Sequence, residues 1–457
     1  MKQTVCLILA LLMALSFIGC TTDNLSSVLT QVGFENSSSF EDSSNDTSSK
    51  TTSFIENSSV FEGDSSSPLS STQSSLGVSS EIISSNITTS ESPSSNTSSK
   101  PNPPESVFYQ PINPEIYSCY SALDNNKKSV YNALFNAANN MEPAWIDIPV
   151  SKETSVKDMS LLFHSLGTDH PELFWLPTQY YVKILPNKIS FLFMNEGSDS
   201  NPKNSTYLID NSQKDYMVSL LNAAVEEIKS LVTATDPYEI ELQLHDILCQ
   251  RVTYYEGPKT DPMLWTAYGA LVNREAVCEG YARAYQLLLY EFGINNTLAT
   301  GTANGTGHMW NIVNINGANY HVDVTWDDSE ASIPSHAYFN LTDSEITKTH
   351  SPHVDFTLIN DSEFESDNAL NYNFNLPSCK DNSLNYFKVT GAIFSKGDEI
   401  ALADYIISTC GSVEIQYIDE APDFSFVNSF LLKRKSTLQI RMQVSKPSTT
   451  VIILEVE

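Results

Sequence analysis

Three residues of this chain could do chemistry together: Cys278, His308 and Asp323. A thiol can attack a carbonyl carbon. An imidazole can take a proton and return it, and a carboxylate can hold that imidazole in one tautomer and orientation. The set points to acyl transfer through a thioester. The plainer reading of a lone cysteine is a small buried core residue, so the elements around the three must decide.

From Cys278 the pattern turns helical. Cys278, Tyr281, Tyr285, Leu288, Leu289 and Phe292 recur at three- and four-residue steps, and Gly293 supplies a stop. Sulfur at a helix start faces unpaired backbone N–H groups and the positive end of the helix dipole, which together favour negative charge there. Gly307 to Ile315 alternates like a strand, and Asn319 to Trp326 returns after Asn316-Gly317, a two-residue hairpin signal. With that loop, Ile315 faces Ala318, Trp310 faces Asp323 and His308 faces Thr325. His308 and Asp323 then share one face as diagonal neighbours. A register slip of one residue would separate them.

The runs Ala276-Val277-Cys278-Glu279-Gly280-Tyr281-Ala282, Gly307-His308-Met309-Trp310-Asn311 and His321-Val322-Asp323-Val324-Thr325-Trp326-Asp327-Asp328 resemble the core of the transglutaminase-like superfamily. The form most like it occurs in bacterial surface proteins and in transglutaminase/protease-like cytokinesis proteins. His245-Asp246-Ile247-Leu248 before the core and Ala337-Tyr338-Phe339-Asn340-Leu341 after it agree, while Asn273-Arg274 stands where a glycine-containing turn is usual. The resemblance implies a papain-like α+β fold, with Cys278 as nucleophile, His308 as base and Asp323 as the carboxylate that orients it. For the oxyanion, the Cys278 backbone N–H is a donor by position, and Tyr255, Trp265 and Tyr268 are side-chain candidates.

The 457-residue chain is 41% hydrophobic with a net charge of −30, enough for packed cores and unfavourable for a nucleic-acid partner. Residues 1–20 read as a lipoprotein signal peptide. Val5 to Ile18 is apolar but short for a membrane span, and Phe17-Ile18-Gly19-Cys20 resembles a bacterial lipobox with Phe17 where leucine is usual. That resemblance implies lipidation of Cys20; simple secretion with cleavage elsewhere is the alternative. Residues 21–105 are Ser/Thr-rich, with eleven acidic residues against two lysines. Such a composition suits a disordered tether.

Residues 106–235 read as an N-terminal α+β region. Helices are expected over Ser118–Asn139, Ser155–Leu166 and Lys214–Val232, the last with Tyr216, Leu220, Leu221, Ala224 and Ile228 inward. A strand is expected near Ala144–Val150, and a hairpin joins Tyr180–Ile184 to Ile189–Phe193. Residues 236–360 form the expected catalytic core, with a helix over Ile240–Val252 and a strand through Ser335–Asn340. Residues 370–457 read as a small β-rich C-terminal domain, with strands at Tyr386–Val389, Val413–Ile418, Ser436–Val444 and Thr449–Val456 and a helix near Glu399–Ser408. A binding role is one reading of it.

Cys6 lies in the signal. Cys119, Cys249, Cys379 and Cys410 show no zinc spacing, and Cys379 with Cys410 could form a disulfide outside the cell. His350 and His353 have no acidic or cysteine neighbour at ligand spacing. No metal and no cofactor is implied. The reading is a lipid-anchored cysteine protease or amidohydrolase, or a protein-glutamine acyltransferase, on the bacterial cell surface. Its expected partners are protein or peptide substrates, cell-wall components and the membrane. Hydrolysis is favoured slightly over crosslinking. The alternative is a non-catalytic binding or adhesion module that keeps the fold.

Overall fold

The computed structural model describes residues 53–56, 118–150, 154–195, 203–328, 333–352, 376–409, 412–418, 420–433, 438–446 and 449–456. The signal with Cys20, His353, Cys410 and the Ser/Thr-rich stretch other than Ser53–Glu56 lie outside them. Ser53–Glu56, read as part of the tether, is strand β1 and pairs antiparallel with Gln179–Val182. Among the described residues no helix is long and apolar enough to cross a membrane.

The first helical stretch is two helices, Ser118–Ala122 and Asn125–Asn139. Asp124 divides them because its side chain accepts the Lys127 N–H and caps the second. After β2 (Ile146–Pro149) comes the helix Val156–Asp169, opened by a capping box of Ser155 and Asp158. The hairpin β3 (Gln179–Leu185) and β4 (Lys188–Met194) follows, giving one antiparallel sheet in the order β1-β3-β4-β2. Phe163 of the preceding helix packs on Tyr180 and Phe191 of this sheet. In the helix Lys214–Leu231 the inward residues are Leu221, Val225 and Ile228. Tyr216, expected inward, is 68% exposed. It lies five residues before Leu221, about 140° round the helix.

The helix Pro237–Arg251 leads into a short parallel pair, β5 (Thr253–Tyr254) with β6 (Glu275–Ala276). The helix Cys278–Glu291 follows, then β7 (Asn296–Ala303), β8 (Thr306–Ile315), β9 (Ala318–Val322) and β10 (His350–Pro352). These last four form an antiparallel sheet in the order β10-β7-β8-β9. Tyr281, Tyr285, Leu288 and Leu289 of the Cys278 helix share a core with Val313, Ile315, Tyr320 and Val322 of the sheet. Helices over antiparallel sheets are the papain-like α+β arrangement expected.

The hairpin register is the one read from the sequence: Ile315 pairs with Ala318 and Asn311 with Val322. Asn316 and Gly317 both have positive φ, 54° and 88°, as a tight turn matched to strand twist requires. The returning strand stops at Val322, short of the expected Trp326, because Asp323 caps a short helix, Val324–Asp327. Ser335–Asn340 is a turn, not a strand; Leu341 alone bridges to His321.

In the C-terminal segment, Tyr386–Thr390 is a helix where a strand was expected. A helix at Glu399–Thr409, β11 (Val413–Ile418), an unforeseen helix at Phe424–Leu432, β12 (Leu438–Lys446) and β13 (Thr449–Val456) complete it. The sheet order is β11-β13-β12. This segment shares its core with the hairpin: Leu402, Ile406, Ile415 and Val427 cluster with Trp310, Ile312 and Tyr338.

A buried chain of imidazoles and carboxylates reinforces that junction. Glu414 of β11 accepts from Ser335 Oγ (2.9 Å), the His336 N–H (2.9 Å) and His336 Nδ1 (2.8 Å). His336 Nε2 meets Asp246 (2.9 Å), which also meets His245 Nδ1 (3.0 Å), and His245 Nε2 meets Asp327 (3.3 Å). Burial pushes against charge on His336, but Asp246 and Glu414 outweigh it and raise its pKa. Tyr386 stacks on the same ring at 3.8 Å. Removing one member of such a network leaves an unpaired buried charge. We predict that Glu414→Ala lowers the unfolding free energy by about 3–5 kcal/mol in urea titrations. Glu420→Ala, which breaks the exposed pair with Lys396, should leave the urea midpoint almost unchanged. Equal costs would contradict the importance of the buried chain.

Candidate active site

Cys278 is the first residue of its helix, and Val277 before it is extended. The Val277 N–H donates to the Leu264 carbonyl (3.0 Å), and the Tyr281 N–H to the Val277 carbonyl (3.1 Å). A Cβ at Gly280 would stand 2.5 Å from the Leu264 oxygen and 3.2 Å from that of Thr266. Only a residue without a side chain lets this loop lie against the first helical turn. Tyr281 Oη donates to Asp328 (2.6 Å) and Asn311 Nδ2 to the Ala282 carbonyl (3.0 Å), fixing the helix to the hairpin. Cys278 is partly exposed, whereas Cys119, Cys249 and Cys379 are buried free thiols. Burial pushes Cys249 up to about 11.

His308 sits on β8 with Nε2 2.7 Å from Asp323 Oδ2. Cys278 lies close enough for its charge to act on the same imidazole. His308 is 5% exposed and Asp323 1%. The Asp323 Oδ1 oxygen accepts the Thr325 and Trp326 N–H groups (3.1 and 3.3 Å). Asp323 therefore orients the imidazole and caps a helix at once.

Burial works against charge on His308. The Asp323 carboxylate, and then Cys278, outweigh it and hold the imidazole up to about 10. Burial likewise opposes charge on Asp323, but His308 and then His350 draw its pKa below the usual carboxylate range. The arrangement is an imidazolium–carboxylate pair beside the sulfur.

Two neighbours were not foreseen. His350 Nε2 also reaches Asp323 Oδ2, at 3.0 Å, with its ring 5.4 Å from that of His308. No local signal marks it, because 27 residues separate it from Asp323. The Tyr254 hydroxyl is the second: burial first, then the Cys278 charge, raises its pKa. Its ring lies 6.4 Å from Tyr281, and it pairs in β5 with Ala276, two residues before the cysteine. The ring of Tyr255 folds back on Gly257. Tyr268 packs on Phe174 at 4.8 Å. Trp265 lies between Leu264 and Thr266, against the first turn of the Cys278 helix. The Cys278 N–H, at the helix start, has no partner one turn back.

Among the described residues, three groups of side chains bring donor atoms close enough to share a metal ion: His245, Asp246 and His336; His308, Asp323 and His350; His321, Asp343 and Cys379. In each, imidazole nitrogens already face carboxylates. In the last, His321 Nδ1 accepts from Trp310 Nε1 (3.0 Å), so Nε2 carries the proton that it donates to Asp343 (3.1 Å).

Residues 226–324 match the family model of the transglutaminase-like superfamily core, a span holding all three of Cys278, His308 and Asp323. That segment belongs to the transglutaminase-like superfamily. No curated protein matches the chain in sequence. Among solved structures, a TGase is 12% identical with a TM-score of 0.24, over 49% of this chain and 60% of its own. A proposed cysteine protease from Cytophaga hutchinsonii is 19% identical with a TM-score of 0.21, over 32% and 50%. The periplasmic domain of TgpA from Pseudomonas aeruginosa is 15% identical with a TM-score of 0.19, over 32% and 56%. The chain spans half to three fifths of those chains. At that level of likeness they say nothing about its activity.

The pair in this transglutaminase-like core makes a prediction about pH. A raised histidine pKa contributes stability that is complete below about 6.5 and is lost as pH rises toward about 10. The lowered Asp323 pKa contributes stability that is present above 3.8 and is lost below it. The unfolding free energy of wild type minus that of His308→Ala should be largest between those limits and shrink steadily toward pH 10. A difference that stays flat from pH 5 to 10 would contradict the pair.

Proposed function

We propose that the chain is a cysteine acyl-transfer enzyme acting on protein or peptide amides through a thioester on Cys278. The observation that carries this reading is His308 Nε2 held 2.7 Å from the buried Asp323 carboxylate, with Cys278 at the start of the adjoining helix and acting on the same imidazole. The Cys278 sulfur attacks the amide carbonyl, and its proton is carried on His308. The tetrahedral intermediate collapses: the C–N bond breaks, His308 gives its proton to the departing nitrogen, and the acyl group remains on sulfur. Asp323 keeps the imidazole aimed through both steps. The Cys278 N–H is a donor for the oxyanion, and the Tyr254 hydroxyl is a second candidate by position.

Water or an amine then attacks the thioester, with His308 taking its proton, and the thiol is restored. Hydrolysis is favoured because water is always present. The coarser statement, a cysteine-based enzyme of the transglutaminase-like type, is supported by the matched core. Residues 1–20 and the Cys20 lipobox support attachment to the outer face of a bacterial membrane, with the Ser/Thr-rich sequence before Ser53 as spacer and wall components within reach.

The test of the chemistry is turnover of a peptide mixture by the full chain, with and without a fluorescent primary amine. Cleaved or deamidated products should form, with amine incorporation minor. They should vanish in Cys278→Ala and fall on the order of 10²–10⁴-fold in Asp323→Asn. Turnover that persists in Cys278→Ala would sink the proposal. For the anchor, Cys20→Ser should leave the membrane fraction or accumulate as precursor; maturation and fractionation like wild type would rule lipidation out.

A further inference from the structure

His350 is one histidine that the acyl-transfer chemistry above does not use. Its Nε2 lies 3.0 Å from Asp323 Oδ2, the oxygen that His308 already holds at 2.7 Å. The other oxygen of Asp323 is taken by two backbone N–H groups. All four acceptor positions of this carboxylate are thus occupied, and two donors divide the charge on one oxygen.

His350 is fixed independently of the triad. Its Nδ1 contacts Thr349 Oγ1 at 2.8 Å. Its ring lies 4.7 Å from Trp326, 4.9 Å from Trp310 and 5.5 Å from Tyr338. The strand that carries it pairs with β7, where a Cβ at Gly301 would stand 2.2 Å from the Ser351 oxygen. Gly301 therefore allows the approach. His350 is 2% exposed.

We propose that His350 is a positioning residue, which shares Asp323 Oδ2 with His308 and thereby limits how tightly that carboxylate grips the His308 proton. The inference rests on the acyl-transfer reading, in which His308 must both hold and release a proton. A carboxylate given wholly to His308 would retain that proton more strongly. A second donor on the same oxygen draws off part of its charge. The other titratable groups facing this pair are Cys278, the Tyr254 and Tyr338 hydroxyls and, beyond Trp310, His321. All of them remain in place when His350 is changed.

The test is proton NMR of the full chain at neutral pH, following the far-downfield His308 Nε2–H in wild type, His350→Gln and His350→Phe. The His308 resonance should move further downfield in His350→Phe, as its bond to Asp323 strengthens. It should move less in His350→Gln, whose amide can still donate to the shared oxygen. The His321 Nε2–H, bonded to Asp343, reports an intact fold and should stay in place. A His308 resonance at its wild-type position in both variants, with His321 unchanged, would overturn the proposal and leave His350 a packing residue. If the phenylalanine variant does not fold, His350→Leu, which likewise cannot donate, takes its place, and a wild-type His308 position there overturns the proposal. The readout needs no substrate. It can fail while peptide turnover succeeds, and the reverse.

Discussion

The site depends on one buried carboxylate. Asp323 is 1% exposed, and each of its oxygens takes two hydrogen bonds, from His308 and His350 on one and from Thr325 and Trp326 on the other. Burying an unpaired carboxylate would be prohibitive; four donors make it tolerable. In return Asp323 ends strand β9, starts the helix at Val324 and fixes the imidazole beside Cys278. The strand end and the site geometry thus have the same cause.

The Asp323 arrangement is supported from outside the matched core. His350 reaches it from β10, Asp327 at the end of the capped helix joins the imidazole–carboxylate chain, and that chain runs to Glu414 in the C-terminal segment. The C-terminal segment therefore contributes core to the hairpin that carries His308 and charge pairing to the His336 turn beside it. A description confined to residues 226–324 omits His336, His350 and Glu414.

The sequence made the site legible where a pattern has a period. The helix from Cys278 was readable from its three- and four-residue steps, and the hairpin register from Asn316-Gly317. The N-terminal hairpin over Tyr180–Phe193 was readable from alternation. Tyr254 was not read as a neighbour of Cys278, because a two-residue parallel strand has no period to show which side chain faces the cysteine. His350 was missed because its partner is set by sheet pairing across Gly301. Ser335–Asn340 and Tyr386–Thr390 carry strand-like residues, but the first supplies the Ser335 hydroxyl and His336 N–H to Glu414 and the second lays Tyr386 on His336. Those tertiary demands override local propensity.

The central claim is that the sulfur of Cys278 carries the acyl group. Intact-mass analysis of the full chain, acid-quenched during turnover of a peptide, tests it directly. The account predicts an acyl adduct that maps to Cys278, is released by hydroxylamine as a thioester would be, and is absent from Cys278→Ala. Continued turnover with no adduct, or an adduct on another residue that survives Cys278→Ala, would contradict it.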